Sequence, residues 1–272
     1  MIFRLRAPRP PLSYFVENLW FYQDLEVNHT KEKLLPNGAV ELIIDLSEGP
    51  KKLYNQRDLA RYATYNRCWI SGMQQRYIVI GVERGSSMMG VHFHTGGAAP
   101  FFGFPISELS GNVVELDLIW KSEMLFLREH LLETQSVDRK FDLLETFLIQ
   151  KAQSRLDPDK TMAAALATLR TWPVLPIGEL ASSLGLSHKQ MIARFDCRVG
   201  LTPKLISRVF RFRKAVVGAS LAKAPLDWPD LAVAWGYYDQ AHLIHEFQQF
   251  AGMTPAQYQK NHSEYPDYVP VD

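Results

Sequence analysis

The feature that most constrains this chain is a segment that occurs twice. Residues 177–203, IGELASSLGLSHKQMIARFDCRVGLTP, are matched by residues 228–255, WPDLAVAWGYYDQAHLIHEFQQFAGMTP. Matching positions lie 51 residues apart up to the central glycine and 52 apart beyond it. Such self-similarity predicts one supersecondary unit that is used twice. The matched pairs are Leu180 and Ala181 with Leu231 and Ala232, Gly185 with Gly236, Met191 with Leu243, Phe195 with Phe247, Gly200 with Gly252, and Thr202 and Pro203 with Thr254 and Pro255.

Each copy is predicted to form a helix-turn-helix. A short amphipathic helix ends at a glycine, which takes the left-handed conformation that stops a helix. Ser187 and Asp239 are placed to cap the second helix of each copy. That helix buries one apolar stripe, so its opposite face is free to enter a major groove of DNA. Helices joined by a glycine turn also occur in proteins that never touch DNA, so one copy alone does not decide the function.

Charge is distributed unevenly along the chain, although the net charge is only +1. Residues 1–159 contain 18 basic and 20 acidic residues, and residues 224–272 contain one basic and seven acidic residues. Residues 185–223, the basic block, contain nine basic residues against Asp196 alone, a local charge of +8. Such a block favours a polyanion as partner, and the alternative is a solvated cationic helix face. Its cations are Lys189, Arg194, Arg198, Lys204, Arg208, Arg211, Arg213, Lys214 and Lys223.

Between the two copies, TPKLISRVFRFRKAVVGASLAK predicts one long helix that starts at Pro203, because proline is tolerated in the first helical turn. Most of its apolar residues share one face, and its basic residues lie largely elsewhere. A rigid helix of this kind would hold two DNA-reading units at a fixed spacing. The apolar face comprises Leu205, Val209, Phe212 and Val216.

The first part of the chain predicts short β-strands. LPNGAVELIIDL places an Asn-Gly turn before a β-rich run, and CWISGM, YIVIGVE and MMGVHFH follow. These runs favour a β-barrel or sandwich. Helical spacing then begins, with Ser122 and Ser136 as candidate caps. The predicted organisation is a β-rich domain over 1–155 with a helical hairpin at 122–155, a linker at 156–161, a helical domain with both motifs over 162–262, and a tail at 263–272.

Several protein classes are disfavoured by composition. Cys68 and Cys197 make neither a disulfide framework nor a zinc-binding spacing, which fits a reducing compartment. The N-terminal sequence MIFRLRAPRPPLSYF lacks the apolar run of a signal peptide. No stretch has the roughly 20 apolar residues of a membrane span. We therefore expect a cytoplasmic protein with no membrane partner.

The helical part resembles the DNA-binding domain of the AraC/XylS family of bacterial transcription regulators. The resemblance covers about residues 162–260 and depends on the doubled pattern, the linking helix, GYYDQAHLIHEF and the closing FAGMTPAQY. Through LPNGAVELIIDL and GVHFHTGGAAPFFG, the first half is similar to the N-terminal domain of one subgroup. The resemblance implies an α+β protein: an N-terminal β-barrel or cupin-like domain with appended helices, which senses a signal or dimerises, and an all-α, seven-helix double helix-turn-helix domain.

The resemblance also implies which side chains meet DNA. Family members read bases from the exposed faces of the two second helices. Glutamine can read the adenine edge and lysine can donate to guanine, while Ala and Ile can contact a thymine methyl group. The residues at these positions are Lys189, Ile192 and Ala193 in the first copy and Gln240, Ala241 and His245 in the second. His188 and Gln190 flank the first set, Arg194 either contacts DNA in place of a family arginine or faces the core, and Lys204 and Arg208 are expected at phosphates.

The sequence departs from the family pattern in two respects. Family members often carry arginine where Ala193 and His245 stand. The second copy also lies in an acidic stretch, and repulsion of phosphate there would weaken its hold on DNA. We therefore expect the first copy to contribute more to sequence reading. The acidic residues are Asp227, Asp230, Asp239 and Glu246.

Other candidate sites in the N-terminal half are weaker. His92 and His94 alternate on a predicted strand, so both imidazoles could bind one metal ion, but no nearby glutamate completes a cupin-type metal site. Cys68 has no neighbouring base and is better explained as a small buried hydrophobe. No catalytic constellation, metal site or cofactor site is predicted. The candidate lining of a ligand pocket is Trp69, Tyr77, His92, His94 and Phe101, although core packing explains the aromatic residues equally well.

Together these features predict a transcription regulator, either an activator or a repressor, that binds double-stranded DNA and performs no catalysis. Control would come from a ligand or from dimerisation through the N-terminal domain. RNA polymerase, a small-molecule effector and a second copy of the chain are further candidate partners. Two alternatives stay open: a cupin-like metal-binding enzyme with a helical appendage, and a ligand-binding protein whose DNA-binding surface has decayed.

Overall fold

The computed structural model describes residues 1–152, 155–222 and 226–271. Strands occupy the first part of the chain, and helices occupy most of the rest. The strands are β1 (Ile2–Arg6), β2 (Val16–Gln23), β3 (Lys31–Leu34), β4 (Glu41–Asp45), β5 (Lys51–Tyr54), β6 (Tyr62–Tyr65), β7 (Cys68–Ser71), β8 (Ile78–Gly81), β9 (Met88–Phe93), β10 (Val113–Glu115) and β11 (Tyr268–Pro270).

The strands form two antiparallel sheets rather than one closed barrel. The first sheet has the order β1-β2-β9-β4-β7-β10, and the second has the order β11-β3-β8-β5-β6. Strands β3, β5 and β8 lie in one sheet and β4, β7 and β9 in the other, so the chain crosses repeatedly between sheets, as in a jelly roll. The predicted α+β fold class is confirmed, with the sandwich form of the β domain.

Alternation along the strands gives the first sheet two different faces. Leu42 and Ile44 point to one face, where they join a continuous apolar core with residues of the helical hairpin. Asp45, on the same strand, points to the second sheet, where its carboxylate lies 3.6 Å from the ammonium group of Lys51. Both of these charged residues are buried. The apolar face therefore supports the helices, and the polar face borders the space between the sheets.

The helical hairpin predicted at 122–155 packs on its own β domain. It comprises α2 (Ser122–Glu133) and α3 (Val137–Ala152), and the short helix α1 (Asp117–Trp120) precedes it. Leu144 and Leu148 of α3 are fully buried in the core. From α2, the Arg128 guanidinium donates a 2.6 Å hydrogen bond to the Asp45 carbonyl. The apolar face of α3 is thus occupied within the chain.

In the described part of the chain seven helices follow, the number that the family resemblance implies. Within the described residues, none of the helices of the chain is both long and apolar enough to cross a membrane. The helices are α4 (Lys160–Thr171), α5 (Ile177–Ser183), α6 (His188–Arg198), α7 (Pro203–Leu221), α8 (Trp228–Ala234), α9 (Gln240–Ala251) and α10 (Pro255–Asn261). The segment expected as a linker already contains the start of α4, whose first amides are capped by the Asp159 carboxylate.

The tail expected at 263–272 contains a strand. β11 pairs antiparallel with β3, at an edge of the second sheet of the β domain. The chain therefore leaves the β domain, builds the helical domain and returns to the β domain. This pairing joins residues that are more than 230 positions apart, which no local sequence pattern indicates.

Candidate nucleic-acid interface

The two copies of the repeated sequence fold as two helix-turn-helix motifs. Helices α5 and α6 make the first motif, and α8 and α9 make the second. The turn glycines Gly185 and Gly236 have φ values of +67° and +87°, which an L-residue rarely adopts. Ser187 and Asp239 cap α6 and α9 through their side chains, as predicted. The buried stripes of both second helices are fully enclosed: Met191 and Phe195 in α6, and Leu243 and Phe247 in α9.

The predicted base-reading residues of α6 lie on its solvent side. The Gln190 side chain also accepts a 2.9 Å hydrogen bond from the Ser187 amide, completing a capping box. Arg194 is exposed rather than turned to the core, and its guanidinium lies 3.8 Å from the Asp159 carboxylate. The surface around the start of α6 therefore carries four polar or charged side chains and two apolar side chains. The exposed residues are His188, Lys189, Gln190, Ile192, Ala193 and Arg194.

The second helix of the second motif offers a smaller surface. Ala241 and His245 are exposed, and Gln240 at the start of α9 is half-buried. The side chains predicted to read bases thus all lie on the accessible side of their helices. They project from the first half of α9 and the first two turns of α6, the ends that face away from the β domain contacts described below.

Glu246 does not act as an exposed negative charge beside DNA. Its carboxylate is only 2% exposed and lies 2.7 Å from the guanidinium groups of both Arg208 and Arg211. Asp227 and Asp239 are likewise occupied, because each caps a helix. The repulsion expected from the acidic stretch is therefore wrong for Glu246.

Arg208 was expected at a phosphate, and the structure gives it other partners. Besides Glu246, its guanidinium donates a 2.5 Å hydrogen bond to the Gln249 side chain and lies over the Phe250 ring. These partners hold the guanidinium within the protein, so a phosphate contact by Arg208 stays a prediction. Lys204, one turn earlier on α7, is exposed and is the better candidate for a phosphate contact.

Most of the basic block is neutralised within the protein. Arg194 and Arg198 face Asp159, Arg208 and Arg211 face Glu246, and Arg213 pairs with Asp267. The Lys214 ammonium donates to the Ala234 carbonyl. Lys223 lies outside the described residues. Among the described members of the block, only Lys189 and Lys204 are without an ion pair or hydrogen bond. The local charge of +8 therefore overstates the positive surface offered to DNA.

A cavity of about 610 Å³ lies between the two motifs. Lys204 and Arg208 of α7 and His242 and His245 of α9 provide its polar wall. The loop at 173–177, which precedes α5, provides an apolar wall. Since Lys204 and His245 are also DNA candidates, this cavity opens on the side of the domain that would face the duplex.

The candidate ligand residues of the N-terminal half do not form one pocket. Trp69 and His92 point to the inner face of the first sheet. Phe101 packs against Phe93 on the opposite, apolar face, with ring centres 5.2 Å apart. Tyr77 contacts Gly252 of the helical domain, and half-exposed His94 lies 3.9 Å from Glu17.

His92 has a partner that the sequence pattern did not single out. The Glu41 carboxylate, on the neighbouring strand, lies 2.6 Å from the His92 ring. Burial alone would lower the pKa of His92. The hydrogen bond to Glu41 and the negative charges of Glu41 and Glu17 together raise it by more, so the pKa lies above its ordinary value. The sequence held one signal for this partner: the alternation of side chains in ELIID places Glu41 on the same face of its strand as Asp45.

The other sites weighed from the sequence have a plain structural account. Cys68 is buried, and burial raises the pKa of its thiol to about 12, so the thiolate is not formed near neutral pH. Over the described ranges, no three His, Cys, Asp or Glu side chains are grouped so that they could hold a metal ion.

Comparison with known protein families divides the chain into two parts. Residues 180–261 match a family described as a helix-turn-helix domain. Residues 4–115 match a domain of unknown function, DUF6597. A search of curated proteins found no match.

Solved structures that resemble the chain include several of ToxT from Vibrio cholerae. One, at 1.65 Å resolution, is 8% identical, covers 96% of this chain and 98% of that chain, and has a TM-score of 0.49. A second, bound to (E)-4-(8-methylnaphthalen-1-yl)but-3-enoic acid, is 10% identical, covers 96% and 99%, and has a TM-score of 0.48. A third, with a bound unsaturated fatty acid, is 10% identical, covers 89% and 93%, and has a TM-score of 0.47.

The two capped motifs, their exposed second helices and the family match over 180–261 define a helix-turn-helix domain in the second half of the chain.

Proposed function

We propose that the protein is a transcription regulator of the AraC type, which binds a two-part DNA site by placing α6 and α9 in successive major grooves of one face of the duplex. The observation that carries the proposal is the pair of capped motifs with exposed second helices, joined by the single helix α7. In B-DNA, successive major grooves on one face are about 34 Å apart. Bases would be read by Lys189, Ile192, Ala193, Gln240, Ala241 and His245, with His188, Gln190, Arg194 and Lys204 positioned for the backbone or flanking contacts.

Selection from a randomised duplex pool tests this proposal. We expect enriched sequences with two conserved elements about one helical turn, or 10 base pairs, apart. Lys189→Ala should relax the preference in one element only, and Gln240→Ala in the other only. Arg84→Ala serves as the matched control, because Arg84 is an exposed cation in the connection between β8 and β9, outside both motifs. If no sequence is enriched, or if both substitutions affect the same element, the two-part mode is wrong.

The N-terminal domain is proposed to control DNA binding by holding an effector between its two sheets. Trp69 and His92 border that space, and both remain partly accessible although they point inward. A thermal-shift screen of small molecules against the full chain provides the test. A true effector should raise Tm in the wild type and lose this effect in Trp69→Ala, while Phe126→Ala, at an exposed site on α2, should respond as the wild type does.

Two further proposals follow from the function rather than from geometry: contact with RNA polymerase during activation, and pairing of two copies on DNA.

The alternative functions predict different results in the same assays. A metal-binding enzyme would retain stoichiometric metal that is lost in His92→Ala. A protein with a decayed DNA-binding surface would select no sequence and would show no salt-dependent DNA binding.

A further inference from the structure

The strand that follows the helical domain belongs structurally to the β domain. The Leu35 amide donates a 2.8 Å hydrogen bond to the Asp267 carbonyl, and the Val271 amide donates a 2.9 Å bond to the Lys31 carbonyl. Between these bonds, Val269 lies opposite Lys33 and is only 1% exposed. We call β11 the latch strand, because it fastens the end of one domain to the sheet edge of the other.

The latch strand reaches the space between the sheets through Tyr268. Alternation directs Tyr268 away from Val269, and it interacts electrostatically with Glu32 of the second sheet and with Glu41 and Tyr22 from the first. Burial, together with these nearby acidic groups, raises the pKa of Tyr268 well above its ordinary value, so the ring stays neutral. The latch strand therefore forms part of the wall of the proposed effector space.

The latch strand is also tied to the helices that carry the DNA-reading motifs. Arg213 of α7, the helix that joins the motifs, pairs with Asp267. Tyr258 of α10 donates a 2.7 Å hydrogen bond to the Pro266 carbonyl. A displacement of the latch strand would consequently change contacts at both α7 and α10.

The second motif contacts the same edge of the β domain. The Tyr77 amide donates a 2.7 Å hydrogen bond to the Phe250 carbonyl at the end of α9. The Lys33 ammonium donates to the carbonyls of Ala251 and Gly252 at 3.3 and 3.4 Å. A cation at this position satisfies carbonyls that a helix leaves unpaired at its C-terminus. β3 thus holds both the latch strand and the end of α9.

The first motif is attached separately, through the turn that contains Ser110. The Ser110 hydroxyl donates to the Gly200 carbonyl just beyond α6. Gly200 fits closely there, since an added Cβ would lie 2.6 Å from the Ser110 hydroxyl oxygen. Both motifs are therefore held at the C-terminal ends of α6 and α9, while their predicted base-reading residues project from the N-terminal halves.

Attachment at those ends leaves the reading surfaces open, so it does not block DNA. It instead limits the movement of the two motifs relative to each other. When two contacts are held at the spacing that a ligand requires, the second contact forms at a high effective concentration and less ordering is needed on binding. A protein with the latch strand in place should therefore bind a two-part site with higher affinity than one without it, whereas the affinity for a one-part site should be the same.

We infer that the latch strand sets DNA affinity: the latched form is the one that binds a two-part site, and release of the latch weakens that binding. This inference rests on the proposed function and adds its means of control. Because Tyr268 borders the space between the sheets, an occupant that displaces Tyr268 would release the latch.

The test compares two duplexes, one with both selected elements and one with a single element, in the full chain. Val269→Asp places a charge at a buried position of the latch strand without touching a DNA-reading residue. We expect this variant to bind the two-part duplex about ten-fold more weakly and the one-part duplex unchanged. Glu264→Ala, at an exposed position just before the latch strand, should bind both duplexes as the wild type does.

Two further measurements keep the outcome decisive. Hydrogen exchange over residues 31–35 should become faster in Val269→Asp, because the Leu35 amide loses its acceptor. A second variant that ends at His262 removes the latch strand altogether and should reproduce the DNA result. Equal or tighter two-part binding by the shortened variant overturns the inference. Failure of the wild-type chain to bind either duplex would instead overturn the proposed function.

Discussion

The Glu246 carboxylate is held between two guanidinium groups inside the second motif. Arg211 is almost as buried as Glu246, and Arg208 is about a quarter exposed, at 28%. Buried charges are stable when each lies beside an opposite charge. Each of them has lost its contact with water, so removing one charge leaves its partner without compensation. The charge of the second motif is therefore decided by which side chains face one another and not by the residues counted along the chain.

Glu246→Gln should destabilise the protein strongly. The substitution keeps the shape of the side chain but leaves Arg211 buried without a counter-charge. Removing one partner of a buried pair costs about 3 kcal/mol or more in the free energy of unfolding. Urea denaturation of the variant and of Glu264→Gln, at an exposed position, measures the difference. A loss in Glu246→Gln below about 1 kcal/mol would mean that this pair contributes no more than a surface ion pair.

His92 should make stability depend on pH near neutrality. Its folded-state pKa lies above the ordinary value, so the folded protein binds the proton more tightly than the unfolded chain does. Its contribution to stability is complete below the unfolded pKa, about 6.5, and is lost as the pH rises through the folded pKa. The free energy of unfolding of the wild type minus that of His92→Gln should therefore decrease between pH 6 and pH 8.5. A difference that is constant or increases over this range would show that the Glu41 pair does not hold the proton.

At the scale of elements, periodicity and turn chemistry predicted most of what forms locally. The strands around ELIID, CWIS and MMGVHF, both motifs, their caps at Ser187 and Asp239, and α7 all agree with the sequence pattern. The latch strand was not predicted, because its three residues pair with β3 across almost the whole chain. The partners of the arginines were missed for the same reason, since ion pairing depends on tertiary contact.

Two glycines in the first motif should respond differently to the same substitution. Gly200 and Gly185 both have positive φ, at +88° and +67°, where alanine costs about 1–2 kcal/mol of backbone strain. An added Cβ at Gly200 would also lie 2.9 Å from the Ile106 carbonyl oxygen, whereas Gly185 has nothing within 4 Å. We expect Gly200→Ala to cost about 1–3 kcal/mol more than Gly185→Ala. Denaturant unfolding of both variants gives the comparison, and equal losses would exclude close packing of α6 on the β domain.

At the scale of the whole molecule, the β domain supports both motifs from behind. The apolar face of its first sheet carries the helical hairpin, its second sheet accepts the latch strand, and the turn that contains Ser110 contacts the end of α6. The residues predicted to read DNA lie in the N-terminal halves of α6 and α9, away from these contacts. On the inference above, the latch strand and Tyr268 would link the space between the sheets to DNA affinity.

The salt dependence of DNA binding follows from how the charges of the whole molecule are paired. If all nine cations of the basic block contacted phosphates, the slope of log K against log salt would be about −8. Five of these cations, Arg194, Arg198, Arg208, Arg211 and Arg213, already face carboxylates within the protein. We therefore expect a slope no steeper than about −4 on the selected duplex between 50 and 200 mM salt. Lys204→Ala should make the slope shallower by about one, and Arg84→Ala should leave it unchanged. A slope near −8 would mean that DNA displaces the internal carboxylates, so that the ion pairs of the free protein open when the duplex binds.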